Sequence, residues 1–278
     1  MTMHRNWLYL AAIFVALTSC NKVQERQLVW SDEFDYAGQP DSAKWNYDLG
    51  DGCPNVCGWG NDEAEFYTRD SKNVRIENGR LIIEAHHDSL GGKAYTSTRI
   101  VSKFKGDWLY GKIEVKAKLP RGRGTWPAIW MLSTDWKYGG WPASGEIDIM
   151  EQVGYNPGVI HANIHCESFN HVKKTQKEGK VTVPDAQQEF HVYAIDWRAD
   201  RIDFYVDEKM YHSISKGTDD TFKEWPFDQR FHLIMNIAVG GGWGGAKGID
   251  DSIWPQKMEV EYVRVYAPVS SSASPDNS

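Results

Sequence analysis

The residues "KIEVKAKL" alternate without a break: Lys112, Glu114, Lys116 and Lys118 fall on one side of the chain, Ile113, Val115, Ala117 and Leu119 on the other. A period of two is the signature of a β-strand with one face in a core and one in water. The stretches "RLIIEAH" (80–86), "FHVYAIDW" (190–197), "RIDFYVD" (201–207) and "FHLIMNIAV" (231–239) behave similarly, and "MEVEYVRVY" (258–266) is β-rich by composition. Turn signals punctuate them: "ENGR", "RGRG", "GYNPG", "GGGWGG". "PDAQQEF" offers at most one or two turns of helix. Many short strands with no linker or repeat between residues 28 and 267 predict one all-β domain, a sandwich or barrel.

Composition narrows the partners. At 278 residues, 41% hydrophobic and 25% charged, the chain can bury a sizeable core. A net charge of −7 argues against nucleic acid or an anionic membrane surface as a binding partner. Thirteen Trp and thirteen Tyr supply flat apolar faces, some for the core and some for a flat ligand.

The two ends read differently from the middle. Arg5 precedes the apolar run "WLYLAAIFVAL" (7–17), too short to span a bilayer comfortably and placed like a secretory signal. The run ends in "LTSC", which resembles the bacterial lipoprotein box. That resemblance implies removal of residues 1–19, lipidation of Cys20, a short tether over 20–27 and a lipid anchor to a bacterial membrane. Asn21 after Cys20 is compatible with outer-membrane sorting, and the cell surface is the expected address. "SSSASPDNS" has almost no apolar content, so a disordered tail is expected over 268–278. In an oxidising compartment "CPNVC" can close as a disulfide between Cys53 and Cys57; a zinc site there lacks a second ligand pair. Cys166 reads as a buried free thiol.

The segment "SGEIDIMEQVG" (144–154) carries the chemistry. Pro142 and Pro157 bound it, and Ile147 and Ile149 alternate with Glu146 and Asp148, so one strand face is apolar and the other acidic. Glu151 is out of phase. It would face the core unless one extra residue, for which Met150 is the natural choice, bulges and restores the phase. With the bulge, four effective steps separate the two Glu Cα atoms by roughly 13 Å. Their side chains can then bring the carboxyls to about 5–5.5 Å, the spacing at which one attacks an anomeric carbon while the other donates a proton. An acidic surface strand or a Ca²⁺ site is the alternative at this point.

"WPASGEIDIMEQVG" closely resembles the signature of glycoside hydrolase family 16, in its laminarinase-like branch with the bulged acidic motif. "WSDEFD", "GWGNDEAEFYT", "GTWPAIWML", "HANIHCESF", "MNIAVGGGWGG" and "VEYVRVY" follow in the family's order along nearly the whole mature chain. The resemblance implies a β-jelly-roll sandwich of two curved antiparallel sheets with a concave substrate cleft. It also implies retaining endo-hydrolysis of β-glucan, with Glu146 as nucleophile, Glu151 as acid/base and Asp148 as the tuning residue. Asn61 matches the family's sugar-binding amide, Glu63 supports it, and His165 matches a position near the acid/base. The reaction requires no cofactor. A structural Ca²⁺ is implied, with Gly79 and Glu261 as its candidate ligands, Glu261 standing where Asp is usual.

Trp126, Trp130 and Trp141 are candidates for stacking on sugar rings, and Asn236 sits on the strand face opposite Met235 and Ile237. Trp136 and Trp243 lie in loops that can form a rim. His161 reads as a structural histidine, and a His-based metal site has no third ligand at a convincing spacing. The expected protein is an exported, monomeric endo-β-glucanase acting on mixed-linkage 1,3/1,4-glucan, with laminarin a close second. A non-catalytic glucan-binding lipoprotein and a transglycosylase on the same scaffold are the alternatives. Relatives that cut agar or carrageenan do not fit this form of the motif.

Overall fold

The alternating segments stack as two antiparallel sheets. The computed structural model describes residues 26–268, so the signal segment, Cys20 and the tail beyond Pro268 lie outside the described residues. The outer sheet runs, edge to edge, Lys209–Ser215, Arg201–Val206, His191–Trp197, Gly111–Lys118, Gln256–Tyr266, Arg80–Ala85 and Val74–Glu77, with Leu28–Asp32 also paired to Gln256–Tyr266. The inner sheet runs Gly179–Thr182, Val159–His165, Glu146–Glu151, Thr125–Ser133, Phe231–Val239, Arg99–Val101 and Asn46–Tyr47, with Asp107–Trp108 also on Phe231–Val239. Glu65–Tyr67 and Tyr95–Ser97 form a small parallel pair outside both sheets. The one helical piece among the described residues is the 3₁₀ turn Cys57–Gly60. "PDAQQEF" forms turns and no helix, since Pro184 and the short span leave no room to propagate one.

Between the sheets lies one core. The outer sheet contributes Ile113, Val115, Tyr193, Ile195, Trp197, Val263 and Val265; the inner sheet contributes Ile129, Met131, Ile147, Ile164, Leu233, Met235 and Ile237. Burying each such side chain stabilises the fold by about 1.5–3 kcal/mol. Phe231–Val239 sits centrally and is buried along its whole length, so its cleft-side residues His232, Ile234, Asn236 and Ala238 are covered as well. The "ENGR" hairpin turns on Asn78 and Gly79, both in the left-handed region at φ 54° and 71°, as a two-residue type I′ turn requires.

Among the register shifts of the sheets, two by one residue bear on the core and the site. In Gln256–Tyr266 the register shifts between Val260 and Tyr262, so Met258 and Val260 face the core on one side of Glu261 and Val263 and Val265 on the other. In Glu146–Glu151 the shift corrects the expected position of the bulge. Met150 keeps a partner, Ile129, whereas Ile149 has none, because Trp130 pairs with Asp148. Both residues are buried, so the bulge tucks two consecutive apolar side chains inward where alternation predicts one.

Deleting Ile149 would remove the bulge and set Glu151 two steps from Asp148, so strict alternation would keep all three acids on the cleft face. Ile149→Ala instead keeps the bulge and empties its buried pocket, and should cost about 2–5 kcal/mol in chemical denaturation as a cavity mutant. An Ile149→Ala variant as stable as wild type would contradict this account of how the bulge packs into the core.

Candidate active site

Register across three inner strands gathers the acidic residues on the cleft face. Glu146 lies opposite His165, Asp148 opposite Asn163 and Glu151 opposite His161 on one neighbour. On the other neighbour the same three residues lie opposite Leu132, Trp130 and Ala128. Directly opposed residues share a face, so the bulge has brought all three carboxylates to one side.

Each Glu takes an indole N–H. Trp141 Nε1 donates to Glu146 Oε2 at 2.8 Å, and Trp126 Nε1 donates to Glu151 Oε1 at 3.0 Å. Asp148 is buried, and its Oδ2 lies 3.3 Å from His165 Nε2, which is itself 3.7 Å from Glu146 Oε1. Donor atoms of Glu146, Asp148 and His165 thus lie within 4.8 Å of one another. Spacing along the chain did not suggest such a trio, because its third member comes from the next strand.

Burial governs the protonation of this cluster. It raises Glu146 to about 8, helped by the charge of Asp148, while His165 and the Trp141 N–H pull the other way. Burial also raises Glu151 well above the ordinary carboxylate value, and Asp148 and Glu146 add to it. For His165, burial opposes the charged form, but Asp148, Glu146 and Glu151 outweigh it and raise the imidazole to about 9. His165 is therefore cationic at neutral pH. When the two Glu residues hold one proton between them, the anion settles on Glu146, which has the nearer cation, and the proton on Glu151.

Towards Phe231–Val239 the cleft floor is a connected polar network. Trp130 Nε1 donates to Asn236 Oδ1 (2.8 Å), Asn236 Nδ2 to Tyr67 Oη (3.0 Å) and Tyr67 Oη to Glu63 Oε2 (3.0 Å). Asn61 Nδ2 donates to Glu63 Oε1 (3.2 Å), so Glu63 supports Asn61 as expected. Trp243 packs edge-on against Trp126 and against His161, consistent with a rim. His161 Nδ1 contacts Glu178 Oε1 at 2.6 Å. Trp136 is half-buried in its loop, its backbone N–H donating to Ser133 Oγ at 2.9 Å.

Sequence reasoning missed five residues here. Asn163 lies 3.3 Å from His165 and was legible, since it alternates in phase with His161 and His165 in "HANIH". Tyr67, Trp59, Arg99 and His171 were not legible. Arg99 lies between the rings of Trp59 (4.4 Å) and Trp130 (4.7 Å), and His171 packs on Trp141 (5.3 Å) and His165 (5.2 Å). These contacts depend on cross-strand register and loop paths.

The residues named for calcium do not fit that ion. Glu261 is the bulged residue of its strand, and its carboxylate is held by Lys116 Nζ at 2.7 Å and Arg80 Nη2 at 3.6 Å. A hard cation needs six to eight oxygens with their charge free to meet it, and two cationic side chains already neutralise this carboxylate. Gly79 serves the adjoining hairpin turn.

Comparison with known proteins agrees with this geometry. Residues 60–264 match the model of the family described as glycosyl hydrolases family 16. The chain is 50% identical over 253 residues to a beta-glucanase of Rhodothermus marinus, covering 88% of this chain and 87% of that protein. It superposes on the crystal structure of the laminarinase from Rhodothermus marinus with a TM-score of 0.84 at 50% identity, covering 87% and 97% of the two chains. A mutant of SCLam, a non-specific endo-beta-1,3(4)-glucanase co-crystallised with 1,3-beta-D-cellotriosyl-glucose, gives a TM-score of 0.83 at 44% identity, over 88% and 95%.

The raised carboxyls have a consequence for stability. Glu146 binds its proton more tightly folded (about 8) than at the ordinary value of 4.5. Its ionisation therefore leaves stability untouched below 4.5 and erodes it as pH climbs towards 8. Glu146→Gln removes that penalty. Its thermal midpoint at pH 8 is expected to exceed wild type by roughly 2–4 °C, the response of a domain this size to ~1 kcal/mol, with no gain at pH 4. Equal midpoints at pH 8 would mean that burial of Glu146 is not costly.

Proposed function

The chain belongs to family 16 of the glycosyl hydrolases, and on that premise we propose that it is a retaining endo-β-glucanase cutting β-1,3-linked and mixed β-1,3/1,4-linked glucan. The observation that carries the reading is the bulged strand that sets Glu146, Asp148 and Glu151 on one cleft face, with a separate indole N–H on each Glu. A module that only binds glucan has no use for carboxyls held at raised pKa values in a cleft.

Each group has a step. Ionised Glu146 attacks the anomeric carbon, while protonated Glu151 gives its proton to the departing glycosidic oxygen, leaving a glycosyl ester on Glu146. Loss of that proton makes Glu151 the base that activates a water molecule for the second displacement, and Glu146 leaves as a carboxylate. The Trp141 N–H and the His165 cation stabilise Glu146 as an anion, which helps it depart in that second step. Asp148, ion-paired to His165, holds that cation in place and by its own charge keeps the proton on Glu151. Trp126, Trp130 and Trp141 offer ring faces to glucose units and Asn61 an amide to hydroxyl pairs, whereas Asn236, expected to meet the sugar, is buried with both amide atoms bonded and instead holds Trp130 in place. Two successive inversions preserve the β configuration. Proton NMR of the reducing ends formed in the first minutes on laminarin is expected to show the β-anomer first, with short oligosaccharides released well before glucose. An initial α-anomer would eliminate the double displacement.

We further propose that the protein is exported, cleaved before Cys20 and anchored by lipid to the outer membrane, facing outward. The support is in the sequence: the apolar run at 7–17, "LTSC", and Asn21 after the cysteine. The paired Cys53 and Cys57 suit an oxidising compartment. Mass spectrometry of the membrane-extracted protein should find an N-terminal diacylglyceryl-cysteine at position 20, and protease treatment of intact cells should remove the enzyme. An unmodified residue 20 would defeat the anchor, and survival under protease would defeat only the outward orientation.

A further inference from the structure

We propose that the Cys53–Cys57 disulfide positions the sugar-binding end of the cleft, acting through Trp59 and Arg99, so that its reduction weakens glucan binding and leaves the acid pair undisturbed. This rests on the glucanase reading above.

The disulfide closes a short loop that a few hydrogen bonds also brace. Within it Val56 N–H donates to the Gly52 carbonyl at 2.8 Å, and a Cβ on Gly52 would lie 2.1 Å from the Val56 oxygen. Immediately after it, Gly58, Trp59, Gly60 and Asp62 occupy the left-handed region, at φ 60°, 52°, 80° and 58°. Side-chain-bearing residues such as Trp59 and Asp62 resist that conformation, so the segment depends on what anchors it. The anchors are the disulfide itself, the Gly58 N–H to the Asp51 carbonyl (2.8 Å) and the Trp59 indole N–H to the Gly50 carbonyl (3.3 Å).

From this segment contacts run into the cleft floor. The Arg99 guanidinium carbon lies 4.4 Å from the Trp59 ring and 4.7 Å from the Trp130 ring, and its Nε lies 3.0 Å from Asp48 Oδ2. Arg99 is only 7% exposed, so this stack is a joint within the wall. Trp130 then holds Asn236, and Asn236, Tyr67 and Glu63 lead back to Asn61, two residues beyond Trp59. The candidate sugar-stacking Trp130 and the candidate sugar-binding amide of Asn61 thus belong to one network, linked through buried Asn236, whose outer edge is fastened by the disulfide. The acid pair hangs on other groups: Trp141, Trp126 and His165.

Both cysteines are exposed, so a dithiol can reach them. Dithiothreitol supplies two electrons: the S–S bond breaks, two protonated thiols form, and the reductant closes to its own cyclic disulfide. Laminarin kinetics of the full protein would be measured oxidised, reduced and reoxidised, with exposed thiols counted by a chromogenic thiol reagent. Two new thiols should appear, KM should rise about tenfold with kcat within about twofold, and reoxidation should restore KM. Arg99→Lys, which cannot stack between two indoles, should raise KM similarly in the oxidised protein. Cys53→Ser with Cys57→Ser serves if reduction is incomplete. Two new thiols with an unchanged KM would overturn the proposal, as would a parallel fall of kcat and thermal midpoint. An oxidised protein that cleaves no glucan would instead sink the functional reading on which it rests.

Discussion

One extra residue decides what this cleft can be. A strand offers its two faces strictly in turn, so three acids at positions 146, 148 and 151 cannot share a side unless the phase slips once. Ile149, unpaired opposite the Ile129–Trp130 step, provides the slip. Core packing then holds it: Ile147, Ile149 and Met150 are all fully covered between the sheets, and any register that exposed Glu151 to the core would also turn apolar side chains out. The catalytic geometry and the hydrophobic core are therefore specified by the same residues.

The sandwich also supplies the electrostatics. Because the site lies on the middle strands of the inner sheet, beside the wholly buried Phe231–Val239, Asp148 is buried and the two Glu carboxyls are largely covered at the cleft floor. Burial is the largest influence on both Glu146 and Glu151, and it pushes both the same way. Differences between the two must come from their neighbours, and here the structure is asymmetric. Glu146 has Trp141 and lies 3.7 Å from the cationic His165, while Glu151 has Trp126 and the repulsion of two carboxylates. Two residues of one type on one strand thereby acquire opposite duties.

How much of this was legible depended on whether a residue's environment is set by its own strand. "KIEVKAKL" announced its burial because one face is wet, and the acidic face of 146–151 could be inferred because a buried unpaired Glu is so unfavourable. The place of the slip was harder: Ile149 and Met150 are both apolar, and which one loses its partner is decided by Ile129 and Trp130 on another strand. The same blindness hid the bulge at Glu261, whose ion pairs to Lys116 and Arg80 come from two further strands. Arg99 is the extreme case. In "TSTRI" it looks like one more charged residue, and only pairing with Asn236 and the loop bearing Trp59 turns it into a buried stack.

The tryptophans show why composition alone could not separate core from ligand. Trp45, Trp197 and Trp225 are buried and pack with Trp30, Tyr110, Phe227 and Phe231, as core residues do. Trp126, Trp130 and Trp141 differ in what their N–H groups do: they bind Glu151, Asn236 and Glu146. An indole whose single polar edge is spent on a cleft residue has its ring fixed in orientation while a face stays open. Trp126 and Trp141 thereby fix the orientation of the two Glu carboxyls, while Trp130 fixes buried Asn236 in the floor of the cleft. What separates these three from the core tryptophans is thus where the one polar edge of the indole is spent, which the register across strands decides and the composition does not record.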